Sequence, residues 1–135
     1  MFISFFPSGE MEEQQEQPDE ITITYGSLLE LLLREKERGE LQKLDDSFFR
    51  NVVRYLKDKN AIIIAPNEDV FSKEEKEKTT TQLANIKRIL KELYDRREKK
   101  LMLLALEKTR EPETLIDESV MLKQEKEMFT AACAL

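Results

Sequence analysis

Apolar residues recur every three to four positions through most of the chain after residue 25, and this spacing predicts an all-α bundle of about four helices. The first helix is predicted to begin at Ser27, which has a capping-box spacing with Glu30, and to end at Gly39. The leucines within positions 28–33 cover most of its circumference. It is therefore either a short core helix or a helix that also contacts a second chain.

A second helix is predicted from an N-cap at Asp45 or Asp46 to about Asn60. Its apolar residues repeat at i, i+1, i+4, i+5 and i+8, and we expect this face to be core: Phe48, Phe49, Val52, Val53 and Leu56. The following segment, AIIIAP at 61–66, is too short for a helix of its own and ends at Pro66. We expect either a brief strand or a loop that packs its isoleucines against the bundle.

The third helix is predicted to be the longest. Ser72 and Glu75 have a capping-box spacing, and no helix breaker follows before Pro112. This predicts about 36 residues, or ~54 Å at 1.5 Å per residue. The first turns, KEEKEK, carry no apolar stripe, which appears only from Leu83 onward. A fourth helix is predicted from about Leu115 toward the C-terminus, with three apolar anchors: Leu122, Met128 and Phe129.

A run of charged residues interrupts the apolar stripe of the third helix, in LYDRREKKLMLLAL at 93–106. Steps of three and four from Leu93 reach Arg97 and then Leu101, so Arg97 falls on the apolar face itself. A buried charge without a partner costs several kcal/mol, so its guanidinium must find acceptors. Its head group either reaches water, or forms an ion pair that fixes the register of packed helices or subunits. A third hypothesis is a phosphate contact by its basic neighbours: Arg96, Lys99 and Lys100.

Charge is distributed unevenly, and this limits the possible partners. The net charge is −6, and residues 1–20 alone contain six acidic and no basic residues. We interpret this segment as an acidic flexible tail. The rest of the chain keeps all 22 basic residues and 22 of the 28 acidic ones, so it is neutral. A neutral body lacks the broad basic field on which non-specific DNA binding depends, so we expect direct DNA binding to be weak or absent.

The residues that enzymes use for catalysis are scarce. The chain has no histidine, one cysteine, no glycine-rich phosphate loop and no nucleophile–base pair, so we expect no catalytic activity, no metal and no cofactor. Cys133 lies among small apolar residues and is predicted to be an inert packing thiol. The apolar opening MFISFF is too short for a secretory signal, and no run approaches the ~20 apolar residues of a membrane span. We expect a soluble protein with no membrane contact.

Three segments together resemble a known family. NIKRILKELYDRREKKLMLLAL at 85–106 resembles the long helix of archaeal GINS subunits, which tends to read N-x-x-x-I-x-x-x-[IL]-Y-x-x-R-x-x-K-[IL]-x-x-L-A. The matching positions are Asn85, Ile89, Leu93, Tyr94, Arg97, Lys100, Leu101, Leu104 and Ala105. Residues 25–56 are similar to the family's opening helices, and residues 120–129 are similar to its last helix. The resemblance covers about residues 22–130, in members of the Sld and Psf type whose helical domain comes first.

The resemblance implies a non-catalytic scaffold subunit in DNA replication. GINS subunits form a tetramer through their helical domains, and with the MCM replicative helicase and a RecJ-like nuclease-fold partner they form the helicase assembly. We therefore expect a tail at 1–20 and a GINS-like helical domain at 21–135, without the C-terminal β-domain to which contact with the nuclease-fold partner is attributed. The implied location is cytoplasmic and chromosome-associated in an archaeon, or nuclear in a eukaryote. The alternative is a generic helical adaptor or coiled-coil interaction protein.

Within this interpretation, the first and third helices are predicted to contact sister subunits. The predicted interface comprises Leu28, Leu29, Leu32, Tyr94, Arg97, Lys100, Leu101 and Leu104. The residues predicted to contact nucleic acid, if any is bound directly, are Arg96 and Lys99.

Overall fold

The computed structural model describes residues 23–66 and 69–135, and these form an all-α fold in which no strand occurs. The prediction of about four helices with one long helix is confirmed. The helices are α1 (Tyr25–Glu37), α2 (Phe48–Ile64), α3 (Val70–Arg110) and α4 (Lys123–Cys133), with a 3₁₀ turn at Glu118–Val120 before α4. The predicted tail at 1–20 lies outside the described residues.

The first helix begins earlier than its sequence predicts. Thr24 is the N-cap, because its Oγ1 accepts a hydrogen bond from the backbone N–H of Ser27 at 3.0 Å. The Ser27 hydroxyl in turn accepts from the Thr24 N–H at 2.8 Å. Ser27 is thus the third helical residue of a capping box and not its cap, so the predicted start was wrong. The helix ends at Glu37, two residues before Gly39.

Helix α2 begins later and ends later than predicted. Asp45 does not cap the helix directly. Its Oδ2 accepts a hydrogen bond from the backbone N–H of Ser47 at 2.9 Å, and this bond closes a turn before Phe48. The helix then continues past Asn60 to Ile64, so the isoleucine segment is helical and is neither a strand nor a loop. Pro66 explains where it stops, because a residue before proline is driven out of helical geometry, and Ala65 is extended.

The long helix α3 has 41 residues, or about 60 Å at 1.5 Å per residue. Its N-cap is Asp69, whose Oδ1 accepts from the N–H of Ser72 at 2.8 Å, so the predicted cap at Ser72 was wrong by three residues. The expected stripe is buried from Leu83 onward, and Thr79 is buried one turn before it. The helix ends at Arg110, two residues before Pro112.

Helices α1, α2 and α4 each pack against α3, which is the axis of the bundle. The core has two clusters that follow α3 in sequence. The first joins α1, α2 and α3 around Leu28, Val52, Ile86 and Leu93. The second joins α3 and the C-terminal segment with Leu41 of the α1–α2 connection. Its buried residues are Leu41, Leu101, Ala105, Met121 and Phe129.

Helix α4 starts at Lys123, not near Leu115, because residues 111–122 form turns and a 3₁₀ helix instead. The predicted anchors are nonetheless in place. Leu122 joins the first cluster, Phe129 the second, and half-buried Met128 packs against the second. Arg97 lies on α3 between the two clusters.

Candidate functional site: the Arg97 network and the outer face of the long helix

The guanidinium of Arg97 is fully enclosed by its own chain, with a side-chain exposure of 0%. Its Nε and Nη2 donate to the two carboxylate oxygens of Glu125 at 2.8 and 2.7 Å, a bidentate pair. Its Nη1 donates to Glu35 Oε1 at 2.9 Å and to the Gln42 carbonyl at 2.5 Å. Nη2 also donates to the Val120 carbonyl at 3.1 Å. An arginine has five N–H groups, and here each one has an acceptor.

These acceptors come from four different parts of the chain. Glu35 belongs to α1, Gln42 to the α1–α2 connection, Val120 to the 3₁₀ turn and Glu125 to α4. Glu125 Oε1 also accepts from the Leu122 N–H at 2.8 Å, so it caps α4 while it pairs with α3. A single side chain therefore links the α1 end of the bundle and α4 to one position on α3.

Lys100 completes the network one turn further along α3. Its Nζ donates to Glu35 Oε2 at 2.7 Å, and lies within hydrogen-bonding distance of the Glu35, Arg38 and Glu40 carbonyls at 2.8, 2.8 and 3.0 Å. The first two of these carbonyls are at the C-terminus of α1, where helical carbonyls lack partners in their own helix and a cation is favourable. Two cations and two carboxylates balance, so the network is neutral.

Burial opposes the charge on Arg97, but the hydrogen bonds and charges of Glu125 and Glu35 outweigh it and raise the pKa of Arg97 above its ordinary value. Arg97 therefore stays charged at any physiological pH. Tyr94 lies nearby on α3, and burial, with a smaller contribution from the Glu125 charge, raises the pKa of Tyr94. Its hydroxyl is buried and has no hydrogen-bond partner among the residues that the structure describes.

For Arg97, the structure favours the ion-pair hypothesis in its intrachain form. At 0% exposure its head group does not reach water, and it is not accessible to a phosphate. The ion pair fixes the register of helices within one chain, and a role of Arg97 in a subunit interface stays a prediction.

The other predicted interface residues divide into two groups. Leu28, Leu32 and Leu101 are buried in the chain's own core, at 0, 4 and 0% exposure, and so cannot present their side chains to a second chain in this fold. Those that keep exposed surface are Leu29, Tyr94, Lys100 and Leu104. Whether these touch a sister subunit stays a prediction.

The basic cluster also divides, because only part of it faces outward. Arg96 and Lys99 are exposed, whereas Arg97 and Lys100 are committed to internal acceptors. Arg96 Nε lies 3.3 Å from Glu92 Oε2, which also lies 3.3 Å from Lys36 Nζ. Arg96 and Lys99 are thus the two members of the cluster that a nucleic acid could reach.

The predicted interface on α3 omitted three exposed apolar residues. Met102, Leu103 and Leu106 are 40, 61 and 46% exposed and form what we call the outer apolar stripe. By helical periodicity Leu103 lies opposite Leu101 and Ala105, and Met102 and Leu106 lie on the flank between them. The signal was available in the sequence, since LMLLAL at 101–106 is apolar around the whole circumference. A helix of this kind is covered on more than one side.

A cleft of about 430 Å³ opens beside the outer apolar stripe, just past the end of α1. Its apolar lining includes Leu41, Leu103, Leu104, Leu115, Ile116 and Val120. Four charged residues complete the lining, of which Glu40, Glu107 and Asp117 are acidic and Lys100 is held by the network. Leu115 is 93% exposed at its edge.

No group of His, Cys, Asp and Glu within 23–66 and 69–135 is arranged to hold a metal ion. Cys133 is a free thiol, half-buried against the second core cluster. Among these residues no helix has the length and apolar composition needed to cross a membrane.

Comparisons with known proteins add no further assignment. No family model, curated protein or solved structure matches the chain.

Proposed function

We propose that this chain is a non-catalytic scaffold subunit of a GINS assembly in DNA replication, which associates with sister subunits and supports the MCM helicase. Two observations support the proposal. The three GINS-like segments occur in family order along the chain, and the fold is an all-α bundle whose axis is the GINS-like third helix.

The observation that carries the proposal is that α3 has exposed apolar residues outside its buried face. Its inner side packs against the chain's own helices through Leu101 and Ala105, while its outer side exposes the outer apolar stripe. Fully burying a leucine or methionine side chain contributes about 1.5–3 kcal/mol, so the stripe gains stability when a second chain covers it. Leu29 and Leu33 on α1 are likewise 37 and 44% exposed and extend the apolar surface available to a partner.

The Arg97 network has a supporting role in this proposal. It fixes α1 and α4 on α3, and therefore fixes the shape of the surface that a partner meets. An interface needs such a defined surface, because side chains and loops that must be ordered on binding reduce affinity. Lys100 and Leu104 lie where this internal network borders the exposed part of α3.

Light scattering of the chain at micromolar concentration, alone and mixed with a candidate sister subunit, tests the assembly. We expect a dimer or tetramer, and we expect the double substitution Met102→Glu/Leu106→Glu to dissociate it, because it places charges in the apolar contact. Ile64→Glu is the matched control, since Ile64 is 72% exposed on α2 and lies outside the stripe. A strict monomer both alone and in the mixture would overturn the proposal.

Affinity purification of the chain from native extract separates this proposal from a generic helical adaptor. Recovery of MCM or of a GINS sister subunit supports the replication role. A stable assembly that brings down neither protein supports the adaptor instead.

A further inference from the structure

We propose that the cleft beside α3 is the docking site for the chain's own N-terminal apolar segment, FISFF at 2–6. Five features support this occupant: the composition of the cleft, the composition of the segment, the length of chain between them, the charge along the path, and the tether itself.

The cleft is suited to aromatic side chains. Six of the eleven residues that line it are leucine, isoleucine or valine, and its volume of about 430 Å³ falls within the range of ordinary ligand pockets. Leu103 and Leu115, at 61 and 93% exposure, leave apolar surface uncovered by any described residue. Phenylalanine buries more apolar area than most side chains, and three of the five residues in FISFF are phenylalanines.

The charges at the cleft are compatible with this segment. Three of the four charged lining residues, Glu40, Glu107 and Asp117, are acidic, so an acidic partner segment would be repelled. Residues 1–9 carry no acidic side chain, and the acidic residues of the tail begin only at Glu10. The apolar segment can therefore enter the cleft while the acidic stretch stays outside it.

The connecting chain is long enough. Ile23 packs against the first core cluster, and the neighbouring Tyr25 shares a depression with α3 residues 78–85. The cleft lies at α3 residues 100–107. Gln82 and Leu103 are about 32 Å apart along the helix axis at 1.5 Å per residue. Seventeen residue steps separate Phe6 from Ile23, and at 3.3 Å each they reach about 55 Å.

The surface along this path carries the charge opposite to that of the connecting segment. One exposed stripe of α3 contains Arg88, Arg96 and Lys99 and ends at Leu103. Successive members are eight, three and four residues apart, and these spacings keep them on one side of a helix. Glu92 lies on the same stripe, but Lys36 and Arg96 both pair with it. The stripe is therefore basic overall, and the connecting segment has six acidic residues between positions 10 and 20. Attraction between the two guides FISFF toward the cleft.

The tether decides between this segment and a separate partner of similar composition. Attachment through a short stretch of chain gives a segment an effective concentration that reaches the millimolar range. Even a weak apolar contact is then largely occupied, whereas a free partner at micromolar concentration would not compete unless it bound far more tightly.

Paramagnetic NMR on the whole chain tests the docking. A spin label is attached at Ser4→Cys in a Cys133→Ala background, and the methyl groups of leucine, isoleucine and valine are observed. We expect the methyl signals of Leu103, Leu115 and Ile116 to lose most of their intensity. Leu103→Asp should restore the Leu115 and Ile116 signals, whereas Phe71→Asp should not, because Phe71 is 78% exposed at the far end of α3.

A mixed sample identifies which copy supplies the segment. In it, spin-labelled chains carry no observable methyl isotope and the observed chains carry no spin label. Signal loss that appears equally in the mixed sample shows contact between copies and overturns intrachain docking. Intrachain docking is also overturned if the spin label attenuates methyl signals away from the cleft, or attenuates none. Leu103 belongs both to the cleft and to the outer apolar stripe, so light scattering of the same samples reports assembly separately from docking, and loss of assembly with the docking contact intact counts only against the proposed function.

Discussion

Replacing Arg97 by methionine is the sharpest test of the internal network. Methionine preserves much of the length and apolar stem of the side chain but removes all five donors. Glu35 is 2% exposed and keeps Lys100 and the Gln42 N–H, which donates to its Oε2 at 3.1 Å. Glu125, with 12% side-chain exposure, keeps only the N–H of Leu122. Glu125 is therefore the carboxylate that the substitution leaves most poorly compensated.

The expected loss follows from the cost of a buried charge without its partner. Breaking a buried ion pair by removing one side destabilises a protein by about 3–5 kcal/mol, which is a large fraction of a domain's total of roughly 5–15 kcal/mol. We expect Arg97→Met to fall in this range at pH 7. Adding Glu125→Gln removes the charge that Arg97→Met leaves without its partner. The double variant should regain about 1–2 kcal/mol of the lost free energy of unfolding, because the effects of substitutions within one network do not add.

Urea unfolding followed by circular dichroism measures these differences, provided the slope with denaturant is the same in all variants. Lys91→Met is the matched control, because Lys91 pairs with Asp95 at 2.8 Å but both side chains are exposed, and we expect no measurable change. If Arg97→Met costs less than about 1 kcal/mol, the value of an ordinary hydrogen bond, then the network does not hold the bundle together as argued.

Two further predictions concern the start of α1 and DNA binding. Thr24→Ala removes the N-cap of α1 and should lower the free energy of unfolding by about 1 kcal/mol in the same urea experiment. Thr80→Ala is the control and should cost less, because the Thr80 hydroxyl donates to the Lys76 carbonyl of its own helix. Equal losses would count against the capping geometry. Fluorescence anisotropy with labelled DNA should show at most weak binding, which disappears as salt is raised. The double substitution Arg96→Gln/Lys99→Gln should weaken this binding further. Tight binding at physiological salt that the double substitution leaves unchanged would contradict a basic surface limited to these residues.

The sequence predicted the helices well but misplaced their ends, for a specific physical reason. Both Ser27 and Ser72 were chosen as caps because a glutamate follows three residues later. In each case an earlier residue, Thr24 or Asp69, takes that role and accepts from the serine's own N–H. Several polar residues near a helix start can satisfy the same free N–H groups, and the choice between them depends on how the preceding chain enters the helix.

The partners of Arg97 were beyond the reach of sequence reasoning. Periodicity placed Arg97 on the buried face, which required acceptors, and that much was correct. The acceptors themselves are 62 residues earlier, at Glu35, and 28 residues later, at Glu125. Other glutamates lie in the same helices, Glu30 and Glu37 in α1 and Glu127 in α4, and only the packing of α1 and α4 on α3 selects Glu35 and Glu125.

This selection also explains why a charge stands in the middle of an apolar stripe. Along α3 from Leu83 the buried residues are apolar at nearly every turn, so sliding α1 by one turn would still place most of its leucines against apolar side chains. The same slide moves the Glu35 carboxylate by about 5.4 Å, well outside the 2.9 Å contact with Arg97. The slipped arrangement would strand a buried guanidinium and a buried carboxylate at once, which costs several kcal/mol. Leucines supply most of the burial along α3, but Arg97 makes one register of the bundle much more stable than its neighbours.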